Sequence, residues 1–82
     1  MIKKYKKRPV TIEAIQFTGY NYQEIKEFVG DSYRLDRLNA SPYICTLEGD
    51  MLISPTDYVI KGVKGEFYPC RADIFLETYE ED

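Results

Sequence analysis

The chain reads as a small α+β domain: a curved antiparallel sheet with one short helix packed on it and a short C-terminal helical turn. Three observations predict this. Alternating, β-branched segments punctuated by turn residues recur along the 82 residues, the stretch 22–29 carries apolar side chains at helical spacing, and no repeat or low-complexity linker divides the chain. A chain of this length has room for one domain, residues 1–82, and buries roughly 60–65% of the surface its unfolded form exposes. Stability is therefore modest. With 44% apolar and 15% aromatic residues a small core forms without staples, and two cysteines are too few for a disulfide scaffold.

Residues 10–17, Val-Thr-Ile-Glu-Ala-Ile-Gln-Phe, open with strict alternation and read as a strand. Val10, Ile12 and Ala14 share one face, whereas Ile15 and Phe17 take the other. That pattern means either a bulge near Ala14 or a strand covered on both sides, as in a central position. Asn21 is placed as a helix N-cap with Glu24 completing a capping box, Tyr22, Ile25, Phe28 and Val29 form the buried stripe, and Gly30 is the stop. Two turns of helix do not survive alone in water, so this one is held by burying its stripe.

Residues 31–42 have no firm period, with Tyr33, Leu35 and Leu38 as possible anchors. Residues 43–47 and 51–53 read as strands joined by a turn at Glu48-Gly49-Asp50. Ser54-Pro55-Thr56-Asp57 makes the next turn, Pro55 presetting its second position. A strand at 58–61, a tight reversal at 62–65 and a returning strand at 66–68 follow, and Pro69 ends regular pairing there. Residues 71–79 are one or two helical turns capped by Asp73, with Ile74, Phe75 and Tyr79 facing inward, or else a terminal strand.

Charge is uneven. Lys3, Lys4, Lys6, Lys7 and Arg8 make residues 1–8 a basic N-terminal arm, while Glu77, Glu80, Glu81 and Asp82 make the other end acidic, and the chain carries a net −3. A basic arm on an acidic body would touch phosphates without offering a broad nucleic-acid surface, or would be held by the acidic end. No apolar run follows the first charges at signal-peptide length, and nothing approaches the roughly 20 apolar residues of a membrane span. A cytoplasmic setting follows, in which Cys45 and Cys70 act as small buried hydrophobes.

The blocks Lys3-Lys4-Tyr5-Lys6-Lys7-Arg8-Pro9-Val10-Thr11-Ile12-Glu13-Ala14-Ile15-Gln16-Phe17, Lys61-Gly62-Val63-Lys64-Gly65-Glu66-Phe67-Tyr68-Pro69-Cys70 and Asp73-Ile74-Phe75-Leu76-Glu77-Thr78-Tyr79 together resemble a family of small proteins encoded by bacteriophages and prophages. The resemblance spans residues 3–30 and 46–80. It implies a bacterial host, and it implies no catalytic residue, because no settled activity attaches to the family. The family's usual Pro-Gly-Asp-Tyr or Pro-Gly-Asp-Trp stands here as Pro55-Thr56-Asp57-Tyr58. Its usual Lys/Arg-Pro-Asp-Ile-Phe ending stands as Arg71-Ala72-Asp73-Ile74-Phe75. Glycine permits a type II turn at position 56 and threonine resists one, so a type I turn is predicted at 55 and 56.

The chain has no histidine, which removes the usual proton shuttle, the commonest zinc ligand and every Ser-His or Cys-His nucleophile. There is no CxxC pair, no Walker-type loop and no dinucleotide fingerprint. No metal or cofactor is expected, and Glu48 and Asp50 read as solvated turn residues. The reversal at 62–65 puts Lys61, Lys64 and Arg71 near Tyr58 and Tyr68, cations beside rings, a set suited to a phosphate or carboxylate with a stacked base. Glu66 is expected to pair with Lys64 or Arg71, or to accept backbone amides. Eight tyrosines exceed what so small a core needs, and tyrosine with arginine is common at recognition surfaces.

The expectation is thus a non-enzymatic phage or prophage binding module in the bacterial cytoplasm, and an oligomer. It would interfere with host defence by binding a host protein, dock on a phage protein, or sequester a nucleotide-like signal through Tyr58, Lys61, Lys64, Glu66, Tyr68 and Arg71. The alternative is a nucleic-acid-binding accessory protein using Lys3, Lys4, Lys6, Lys7 and Arg8.

Overall fold

A computed structural model describes all 82 residues. The fold is α+β, with two three-stranded antiparallel sheets in place of one curved sheet. The first sheet takes its strands from the ends of the sequence. In it β1 (Glu13–Gln16) and β6 (Phe67–Cys70) flank the central β5 (Tyr58–Lys61), with Glu13 opposite Lys61 and Lys61 opposite Phe67. The second is a meander of β2 (Tyr33–Asp36), β3 (Ser41–Thr46) and β4 (Gly49–Leu52). Helix α1 (Tyr22–Val29) and a 3-10 turn at Gly30–Ser32 join the first sheet to the second, and α2 (Ala72–Thr78) follows β6.

The main core lies between the sheets. Phe17, Ile25, Val29, Ile44, Ile53 and Val59 are buried together there, and Phe28 and Phe67 meet edge to face at 5.4 Å beside them. Ile25 and Val29 come from the helical stripe, so the short helix is held by tertiary burial as predicted. Alternation along β5 sends Val59 and Lys61 to this inner face and Tyr58 and Ile60 to the outer one. Ile60 is buried although it is not part of the main core; it lies on the outer face, where Phe75 of α2 stacks on Tyr58 of the same strand. The Tyr58 and Phe75 rings stack at 4.0 Å and 9°, and Tyr79 lies 5.0 Å beyond Phe75.

Several elements differ from the sequence reading, each for a physical reason. The strand expected over 10–17 is limited to Glu13–Gln16, since its partner β5 turns away after Lys61 and leaves residues 10–12 without a ladder. Neither a bulge at Ala14 nor a strand covered on both sides is found: β1 pairs in unbroken register with β5 at a sheet edge, with Ala14 exposed on one face and Ile15 packed against the core on the other. Residues 33–36, unreadable in sequence, are strand β2. The hairpin between β3 and β4 turns at Leu47-Glu48, with Thr46 opposite Gly49, so Gly49 and Asp50 belong to the strand. The Thr46 hydroxyl donates to the Gly49 carbonyl at 2.6 Å and accepts from the Glu48 N–H at 3.2 Å, which closes the loop one position early. Pro69 does not end pairing: β6 is an edge strand, where a missing N–H on the outer side costs nothing, and it continues to Cys70.

Asn21 precedes α1 but makes no cap bond. Its amide donates to the Gln16 carbonyl at 2.9 Å and its oxygen accepts from the Thr18 N–H at 2.8 Å, so it ties the β1–α1 loop. Gly30 does stop the helix, at φ 76° and ψ −134°, a conformation other residues avoid. α2 begins after Arg71, and Asp73 lies inside its first turn and does not cap it. Ile74 faces out, whereas Phe75 and Tyr79 face in.

The turn at 54–57 overturns the type I expectation. Thr56 stands at φ +78°, the conformation glycine would supply. Hydrogen bonds on both sides impose it. Thr56 N–H donates to Phe17 O at 2.7 Å, Phe17 N–H to Asp57 O at 2.8 Å, and Asp57 N–H to Ser54 O at 3.0 Å. The Asp57 carboxylate accepts Ser54 N–H at 2.9 Å, and the Gln16 amide donates to Thr56 O at 3.0 Å. A residue so enclosed keeps a strained conformation.

Candidate functional site

The six residues proposed for ligand binding do not converge on one cavity. Tyr58 and Tyr68 lie on the outer face of the first sheet, the first against Phe75 and the second opposite Ile60. Lys61 is on the inner-face register with Phe67, its ammonium 6.0 Å from that ring's centroid. The β5–β6 loop is closed by Gly62 N–H donating to Glu66 O at 2.7 Å and Gly65 N–H to Gly62 O at 3.0 Å, and Lys64 is exposed at its tip. Glu66 makes no ion pair; its carboxylate folds over the Gly62 Cα, in the space a β-carbon would take. Arg71 pairs with Asp73 at 3.0 Å, with both side chains mostly exposed, so it is committed locally and contributes little stability. The parity of 58 and 61 along one strand already carried this separation.

Two surfaces do gather side chains. The first is a groove of about 880 Å³ between residues 7–12 and α2 with the residues after it. Tyr58, Phe75 and Tyr79 give it aromatic character, Lys7 and Arg8 stand on one wall, and Glu80, Glu81 and Asp82 on the other. Lys7 donates to the Tyr79 hydroxyl at 3.2 Å and lies 5.1 Å from the centre of its ring. Burial, and then the neighbouring Tyr79, push the Tyr68 pKa above the ordinary 10.0. Phe75 and Tyr79, read in sequence only as packing residues, are therefore groove residues as well.

The second surface is the outer face of the β2–β3–β4 sheet. Register puts Tyr43 opposite Leu52 on one side and Arg34 on the other, with Cys45 opposite Asp50 in the next row. Leu52 is 59% exposed and Tyr43 half-buried, and a shallow depression of about 630 Å³ surrounds Tyr43, between Asp36, Arg37, Asp50 and Leu52. Cys45 is exposed here, contrary to the buried role expected of it, because it occupies an outward position of β3. Cys70 is half-buried on the other sheet, and both thiols are free. The sequence signal for this face was the alternation Tyr43, Cys45 against Pro42, Ile44, with the buried pair pointing inward.

Of the basic arm, Lys3, Lys4, Lys6 and Arg8 make no hydrogen bond or ion pair, and only Lys7 engages the body. No three histidine, cysteine, aspartate or glutamate side chains are grouped so as to hold a metal ion. No helix is long and apolar enough to cross a membrane. Compared with protein-family models, with curated proteins and with solved structures, the chain has no significant match.

Proposed function

We propose that the protein is a non-enzymatic binding module of phage or prophage origin, acting in the bacterial cytoplasm by docking on a host or phage protein. The observation that carries this reading is the outer face of the β2–β3–β4 sheet, where the half-buried Tyr43 sits beside Leu52, which is 59% exposed. A tyrosine beside an aliphatic side chain, rimmed by Asp36, Arg37 and Asp50, has the make-up of an interface centre with a polar rim. The nucleotide-like ligand has less support. Its cations and rings would need one face, and Lys61 is on the opposite side of β5 from Tyr58.

The test is capture from lysates of infected and uninfected bacteria by the intact protein, beside the paired substitution Tyr43→Ala with Leu52→Ala. A protein retained by the parent and lost by the pair, with unchanged circular dichroism, supports the reading. Equal retention by both removes this face from it.

A further inference from the structure

We propose that the groove between residues 7–12 and α2 seats the basic arm of a second copy of this chain, so that two copies pair by exchanging residues 1–6. This does not rest on the function proposed above, which uses the other sheet. Lys7 and Arg8 line their own groove, but residues 1–6 do not: Met1, Ile2 and Tyr5 are 108%, 99% and 89% exposed, so they touch almost nothing. The chain as a whole is elongated, with a long dimension of 48 Å and a radius of gyration of 14.0 Å against about 12 Å for a compact chain of this length.

Local chemistry keeps the arm pointing away. Pro9 confines Arg8 to extended conformations, no glycine among residues 1–8 offers a reversal, and five like charges repel one another. Folding back past Lys7, which already caps Tyr79, would require a turn that none of these residues favours.

The groove suits such an arm. Its aromatic rings match Tyr5, Ile2 and Met1, and its acidic wall at Glu80, Glu81 and Asp82 has no cation within ion-pair distance in its own chain. Lys3, Lys4 and Lys6 supply three opposite charges within four residues, against three acids in a row. Two-fold pairing fills both grooves at once, as an isologous contact does. The apolar side chains must seat along with the lysines, because two arms together have to reach the roughly 1,200 Å² of a small stable interface.

A charge swap tests this, read by sedimentation equilibrium of the full chain across concentration and salt. One variant carries Lys3→Glu, Lys4→Glu and Lys6→Glu; the other carries Glu80→Lys, Glu81→Lys and Asp82→Lys. All six positions are exposed, so the fold is unaffected, which circular dichroism verifies. The parent dimerises, more weakly as salt rises, each variant alone self-associates at least about tenfold less, and an equal mixture of the two restores the dimer. A parent that stays monomeric, a variant that pairs as the parent does, or a mixture that fails to pair overturns the proposal.

Discussion

Thr56 donates its backbone N–H to the Phe17 carbonyl at 2.7 Å while holding φ at +78°. The contact fastens the 54–57 turn to the end of β1, and the surrounding bonds leave Thr56 no room to relax. A β-branched residue held in this region costs on the order of 1–3 kcal/mol. Thr56→Gly removes that cost and gives back part of it through the greater freedom of the unfolded chain. The net expectation is a gain of about 1 kcal/mol, seen as a rise of roughly 4–8 °C in the thermal midpoint. A lower midpoint would show that the threonine is not strained.

Asn21 supplies a second discriminating substitution. Were it a helix cap, Asn21→Asp would be neutral or favourable, since aspartate caps equally well. Its amide instead donates to Gln16 O, and aspartate would lose that donor and set a carboxylate against a carbonyl. The expected loss is about 1–2 kcal/mol by chemical denaturation.

The Tyr58–Phe75 stack is the main fastening of α2, which has no buried residue of its own. Phe75→Ala removes a half-buried ring and its stacking, for about 2 kcal/mol. Hydrogen exchange locates the loss. Amides of α2 lose protection while those of β3, across the main core, keep theirs.

Tyr33 and Tyr68 both have pKa values raised above 10.0, by burial first, then by Tyr22 for Tyr33 and by Tyr79 for Tyr68. The unfolded chain therefore releases these protons at lower pH than the folded one. The stability associated with the neutral rings is complete below pH 10.0 and is lost as pH rises through the folded-state values. Tyr33→Phe and Tyr68→Phe each flatten the alkaline fall in stability, monitored by denaturant midpoints across that range. A fall of unchanged steepness in both variants counts against the assignment.

How much was legible depends on how local the deciding force was. The helix at 22–29 was legible because its stripe and Gly30 are adjacent in sequence, and so was the hairpin of β5 and β6, which carries its own turn. Strand β2 was not, because Tyr33-Arg34-Leu35-Asp36 has mixed polarity and becomes a strand only by pairing with residues 41–44. Residues 10–12 failed in the opposite sense: their β propensity is strong, but β5 ends before it can pair with them. For the candidate site, the opposite parity of Tyr58 and Lys61 was readable and separates them, whereas the meeting of Lys7 with Tyr79 across 72 positions was not.

The order of apolar, polar and turn residues was enough to determine a single small α+β unit, its helix and most of its strands, because hydrophobic period and turn chemistry act within a few residues. Only the tertiary structure decided that the strands divide into two sheets, that Thr56 adopts a glycine-like conformation, and that Lys7 meets Tyr79. Those outcomes are set by which distant segments compete for the same hydrogen bonds and the same buried volume, and no local pattern records the result of that competition.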